Sequence, residues 1–83
     1  MEYWFTMWYE DKKSIINTMA KNIAADLEAG YDPLGHSIKK QRAEMDEYIK
    51  IFDAEVELLK EFTPRQAERW CKLDMLKRGV IEL

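Results

Sequence analysis

The sequence predicts an all-α fold, in which two long antiparallel helices form a hairpin and a shorter third helix follows. Two stretches of the chain carry apolar residues at helical spacing, and a clear helix-start signal precedes a third stretch. The 83 residues include 3 glycines and 2 prolines, too few for the many tight turns of a β-protein. We expect one domain over residues 1–83, since a chain of this length has no room for two hydrophobic cores.

The first helix is predicted over residues 11–29. Ile16, Met19 and Ile23 follow one another at intervals of three and four residues, which places them on one face of a helix. Gly30 comes next and is the expected end of the helix, because glycine adopts a left-handed backbone without a Cβ clash.

A loop over residues 30–37 is predicted to lead into a second helix over residues 38–62. Ser37 can cap the start of that helix, with Asp32 as the earlier alternative. Two helices of this length leave part of their apolar stripes uncovered, so a homodimer could complete a bundle. The stripe of the second helix recurs every seven residues, at Ile38, Met45, Phe52 and Leu59.

The third helix is predicted over residues 64–78. Thr63, Pro64 and Gln66 stand at the N-cap, first and third helical positions, which is the pattern of a capping box. Gly79 is expected to end the helix.

The N-terminal segment, residues 1–10, is rich in aromatic side chains and has two structural interpretations. Four-residue spacing would align its rings in two rows on a helix, whereas a strand would need a second molecule as its partner. The rings either cover the end of the hairpin core or form an exposed contact surface, because tryptophan and tyrosine dominate interface energetics. The candidate contact residues are Trp4, Phe5, Trp8 and Tyr9.

Two charged faces are further candidates. Asp46, Asp53 and Glu57 form an acidic row on the second helix, which is either a solvated face or a surface that steers a cationic partner. Residues 63–83 carry 5 basic and 3 acidic side chains, and a nucleic-acid contact would use their cations. The candidates for that contact are Arg65, Arg69 and Lys72, although Glu68 and Asp74 dilute the positive field.

The chemistry-bearing residues argue against an enzyme. The chain holds 1 Cys and 1 His, too few for a Cys/His zinc site, and no phosphate-binding or hydrolase motif occurs. We therefore expect no catalytic residue, no metal site and no cofactor. Cys71 is predicted to be a small buried hydrophobe and His36 a loop residue. The net charge of −3 argues against a general nucleic-acid coat.

Two stretches carry a resemblance to known proteins. They are Asp32-Pro33-Leu34-Gly35-His36-Ser37-Ile38 with Gln41 after it, and Arg69-Trp70-Cys71 followed by Asp74-Met75-Leu76-Lys77-Arg78-Gly79-Val80-Ile81. Residues 19–81 thereby resemble small all-helical proteins encoded by phages and integrated mobile elements of Gram-positive bacteria. The resemblance implies an accessory protein that binds one host or phage protein. Inhibitors of host defence systems, such as CRISPR-Cas, are one such class.

The function expected from the sequence is therefore non-enzymatic binding of a host protein, by steric or electrostatic occlusion of its working surface. The alternatives are a small nucleic-acid-binding transcriptional regulator that uses the third helix, and a structural component of phage assembly. No apolar stretch is long enough to span a membrane, and a single thiol without a signal peptide is typical of the host cytoplasm.

Overall fold

A computed structural model of the chain describes residues 2–82, and its regular structure is entirely helical. The three helices are α1 (Glu2–Glu28), α2 (His36–Leu59) and α3 (Pro64–Lys77). Residues 2–82 contain no strand, so the prediction of an all-helical chain with three helices is confirmed. Met1 and Leu83, which belong to the predicted domain, lie outside the described residues.

Helix α1 begins at Glu2, whereas the sequence predicted a start at residue 11. The aromatic segment forms the first turns of this helix, which decides between the helix and strand interpretations. Tertiary contacts explain the extension, because the carboxylate of Glu68 on α3 accepts hydrogen bonds from the backbone N–H groups of Trp4 and Phe5, at 3.4 and 2.7 Å. Backbone donors at a helix start have no partner within the helix, so Glu68 completes the start of α1.

The ends of α1 and α3 confirm the glycine-based predictions. Gly30 and Gly79 have positive φ angles of 99° and 75°. At the end of α1, Gly30 N–H donates to the carbonyl of Leu27 and Tyr31 N–H to that of Asp26, at 3.1 and 3.0 Å. This pair of hydrogen bonds is the Schellman arrangement, which satisfies carbonyls left free at a helix end.

The start of α2 differs from the prediction, whereas the start of α3 agrees with it. Gly35 is the N-cap of α2 and no side chain caps it, so neither Ser37 nor Asp32 does so. The carboxylate of Asp32 instead accepts a hydrogen bond from the N–H of Leu34, at 2.9 Å within the loop. The capping box of Thr63 is present at α3, with both reciprocal hydrogen bonds.

The core lies where all three helices meet. Small residues of α3 pack there against large rings of α1 and α2, which lets the helices approach closely. Ile23 and Ile38 are buried separately, on the parts of α1 and α2 that lie farther from α3. The buried core cluster consists of Trp8, Phe52, Leu59, Ala67, Cys71 and Met75.

The molecule is elongated, because α3 packs along only part of α1. Its principal extents are 47 × 25 × 18 Å, and its radius of gyration of 15.6 Å exceeds the roughly 12 Å of a compact domain of this length. Helix α1 contacts both other helices. Contacts between α1 and α2 include Lys12 with Glu55 at 3.4 Å and Asp26 with Gln41 at 2.7 Å. None of the helices in the described range is both long and apolar enough to cross a membrane.

Trp8 is expected to be essential for folding. Its side chain is 0% exposed, so Trp8→Ala should cost about 3–5 kcal/mol of unfolding free energy, much of the stability of a small domain. Tyr3→Ala, on the same helix but 68% exposed, should change stability by less than about 0.5 kcal/mol. Urea unfolding followed by far-UV circular dichroism measures both values. Similar losses for the two variants would contradict this placement of Trp8.

Candidate functional site

The aromatic residues of α1 divide into a core ring and flanking rings. Trp8 is fully buried, and its ring lies 5.6 Å from the rings of both Phe52 and Trp70. Such burial leaves no indole surface for a partner, which corrects the sequence-based placement of Trp8 on a contact surface. The remaining predicted contact residues, Trp4, Phe5 and Tyr9, are half-buried against the same core.

Asp74 of α3 lies at the centre of a polar network beneath the core. It accepts hydrogen bonds from Trp8 Nε1 and from Arg78 Nε, both at 3.0 Å. Arg78 also donates to Asp11 at 2.7 Å, so the network joins α3 to α1. Burial tends to lower the pKa of Arg78, but its hydrogen bonds to Asp11 and Asp74 outweigh burial and raise that pKa above its ordinary value.

Lys12 is the buried cation of the same region, with 6% of its surface exposed. Its Nζ lies 3.4 Å from Glu55 and 3.8 Å from Asp74, so its charge is compensated. Its Nζ also lies 5.3 Å from the ring centroid of Tyr48, within the range of a cation–π contact. The Lys12–Glu55 contact is not aligned as a hydrogen bond, and among the described residues Oε1 of Glu55 has no hydrogen-bond partner. This set of charges holds α1, α2 and α3 together.

Both carboxylates of α3 are directed toward α1. Glu68 accepts from the start of α1, and Asp74 accepts from Trp8 and Arg78. From the sequence we expected these two residues to dilute the positive field of α3. Because both carboxylates form internal contacts and are only partly exposed, the exposed charged side chains of α3 are the cations Arg65, Arg69 and Lys77.

A shallow apolar groove, open to solvent, lies along the outer side of α3. One hollow of about 280 Å³ adjoins a second of about 270 Å³, and the two share Trp70 and Leu73 as lining residues. Leu73 is 53% exposed and lines both hollows, which places it at the centre of the groove. We call this feature the α3 groove; its lining residues are Phe62, Gln66, Arg69, Trp70, Leu73, Asp74 and Lys77.

The predicted basic residues of α3 differ in their surroundings. Arg65 and Arg69 are exposed, and Arg69 lines the α3 groove. Lys72 is half-buried, with its Nζ 5.1 Å from the ring centroid of Trp4. A cation–π contact of this kind holds Lys72 against α1, so the structure brings only part of the predicted basic set to the groove.

The acidic row on α2 is exposed and separate from the α3 groove. Asp46, Asp53 and Glu57 are all accessible to solvent, and none of them lines the groove. Glu57 forms an exposed ion pair with Lys60 at 2.9 Å, in agreement with the spacing of these two residues. Exposed pairs of this kind contribute little to stability.

The single thiol is not placed for chemistry. Cys71 is 0% exposed, and burial, with the charges of Glu68, Asp74 and Glu55 in addition, raises the pKa of Cys71 to about 12. A buried, protonated thiol is a poor nucleophile. Within residues 2–82, no group of three His, Cys, Asp or Glu side chains is arranged to hold a metal ion.

Sequence reasoning missed the contribution of Phe62, Leu73 and Lys77 to the groove. The row Ala67, Cys71 and Met75, spaced four residues apart, could have indicated this surface, because these small or apolar side chains mark the side of α3 that packs against the core. Leu73 then falls on the opposite side, between the exposed cations. No protein-family model matches this chain, and neither a curated protein nor a solved structure matches it.

The thiol of Cys71 should make stability depend on pH. The folded thiol keeps its proton up to a pKa of about 12, whereas the unfolded thiol loses it near 9.0. The stabilisation is therefore complete below pH 9.0 and falls as the pH rises toward 12. Urea unfolding between pH values of about 8 and 10 should show a smaller decline for Cys71→Ala than for the native chain. Equal slopes would contradict this environment for the thiol.

Proposed function

We propose that this chain is a non-enzymatic protein-binding accessory protein of a phage or mobile element, which acts in the host cytoplasm. In this proposal the host protein binds at the α3 groove, and the bound chain blocks a working surface of that host protein. The host protein belongs to a defence system such as CRISPR-Cas. The resemblance described above supports the biological setting. The geometry of α3 supports the binding mode.

The observation that carries the binding proposal is the exposed Leu73 between aromatic and cationic side chains. Leu73 shares the groove with Trp70, whose ring is held edge-on against buried Trp8 at 5.6 Å. Aromatic and arginine side chains around an apolar centre are typical of protein interfaces. Because Trp8 supports Trp70 from below, the floor of the groove is held in place before a partner binds, which lowers the entropic cost of binding.

The overall arrangement that we propose is an antiparallel hairpin of α1 and α2 with α3 on one end. The contacts of Lys12 with Glu55 and of Asp26 with Gln41 support opposite helix directions, because an early α1 residue meets a late α2 residue. The part of the hairpin that α3 does not reach consists of α1 and α2 alone. A second copy of the chain could pack against that part and complete a bundle. Such a dimer would leave the α3 groove accessible.

Leu73→Glu should abolish capture of the host protein while the fold is kept, because it places a charge at the apolar centre of the groove. Ile51→Glu is the matched control, since Ile51 is 50% exposed but lies on α2 outside the groove. Affinity capture from a Gram-positive bacterial lysate, followed by mass spectrometry, should recover one protein with the native chain and with Ile51→Glu only. Capture that survives Leu73→Glu, with far-UV circular dichroism unchanged, would contradict the proposal.

A second candidate is a nucleic-acid-binding regulator that uses α3. The observation in its favour is that Arg65 and Arg69 are exposed while both carboxylates of α3 are engaged with α1. Cations on one helix face can contact successive phosphates of a duplex. The apolar floor of the groove adds nothing to such contacts, and for this reason we place protein binding first.

Gel retardation of duplex DNA tests this second candidate. A regulator should bind at low salt and weaken steeply as salt rises, with the log–log slope reduced by about 0.9 for each phosphate contact removed. Arg65→Ala and Arg69→Ala should each reduce that slope, whereas Arg42→Ala on α2 should leave it unchanged. Lack of retardation at low salt would remove the nucleic-acid candidate.

A further inference from the structure

The length of the α3 groove matches a helical segment of a partner. Its lining residues run from Gln66 to Lys77 along α3. At 1.5 Å per residue this span is about 16 Å, or three helical turns. Amphipathic helices that dock in grooves place anchor side chains at intervals of three, four and seven residues, which fit within three turns.

The rim of the groove is cationic. Arg69 and Lys77 line it, and Arg65 lies exposed one helical turn before Arg69. Among the described residues, none of these three cations forms an ion pair. Asp74, the one carboxylate among the lining residues of the groove, already accepts hydrogen bonds from Trp8 and Arg78. A partner with acidic side chains would therefore meet cations that have no competing ion-pair partner among the described side chains.

The floor of the groove is apolar, so a partner that fits it must supply apolar side chains as well as charged ones. Leu73 at 53% exposure and the half-buried Phe62 and Trp70 would gain from aliphatic side chains that displace water. A phosphate backbone would satisfy the cations but would leave Leu73 in water. The combination of floor and rim therefore favours a peptide over a nucleic acid.

We infer that the occupant of the α3 groove is an amphipathic helix of the partner protein, with aliphatic anchors on one side and acidic residues flanking them. This inference rests on the proposed protein-binding function and specifies the chemistry of the partner. The net charge of this chain is −3, so general attraction would not draw an acidic peptide to it. Preference for an acidic helix would have to come from the local cations of α3.

Two designed fluorescent peptides test the inference by fluorescence anisotropy. Both carry the same helical leucine stripe, and the flanking residues are glutamate in one and lysine in the other. The native chain should bind the glutamate peptide about tenfold more tightly than the lysine peptide, with the difference shrinking as salt rises. The double variant Arg69→Glu with Lys77→Glu should reverse this preference. Its control, Lys39→Glu with Arg42→Glu, makes the same charge change on exposed α2 positions and should leave the preference unchanged.

Three results would overturn the inference, provided that far-UV circular dichroism shows folded variants. The first is equal binding of the two peptides, or a preference that the α3 double variant does not alter. The second is self-association of the native chain that the same double variant abolishes, which would assign the groove to a second copy through exposed Ile51 and Leu58 of its acidic α2. The third is displacement of the glutamate peptide by a DNA oligonucleotide at lower concentration than by unlabelled peptide.

The failure of the inference is distinguishable from the failure of the proposed function. If Leu73→Glu abolishes host-protein capture but neither peptide binds, the groove is the binding surface and its partner is not an acidic helix. If capture does not depend on Leu73, the proposed function fails whatever the peptides show. Release of a captured host protein by the glutamate peptide, and not by the lysine peptide, would support both.

Discussion

The buried indole of Trp8 joins all three helices of this chain. Its ring packs against Phe52 of α2 and Trp70 of α3, and its Nε1 donates to Asp74 of α3. A tryptophan buries more surface than any other residue, yet its N–H must still find an acceptor. Asp74 meets that requirement, and the cations of Arg78 and Lys12 compensate the charge that Asp74 brings into the core.

The hydrogen bonds that attach α3 to α1 also determine which charges remain exposed on the outer side of α3. Asp74 accepts a hydrogen bond from Trp8, and Glu68 accepts hydrogen bonds from backbone N–H groups at the start of α1. Because both carboxylates of α3 form internal hydrogen bonds, the exposed charged side chains around Leu73 are the cations Arg65, Arg69 and Lys77, and the partly buried Asp74 lines one end of the groove. The candidate binding surface is thus a consequence of how α3 is attached to α1, and the same ring that fills the core supports Trp70 in the groove.

The conformation of the aromatic N-terminal segment could not be predicted from the sequence. Residues at positions 4, 5, 8 and 9 fit a helix in two rows and fit a strand with rings on both faces. Local spacing cannot separate these alternatives when every ring is large and apolar. The backbone donors of Trp4 and Phe5 find their acceptor 63 or more residues away, and no local signal marks that contact.

By itself the sequence determined the helical class, the approximate extent of α2 and α3, the capping box of Thr63 and the glycine ends at Gly30 and Gly79. Each of these depends on backbone groups within one turn of each other, so neighbouring residues specify them. Only the tertiary structure decided that Trp8 is core, that Glu68 and Asp74 accept hydrogen bonds from α1 and that Leu73 faces outward. Burial is a relation between helices, and the stripe on one helix does not reveal which neighbour covers it.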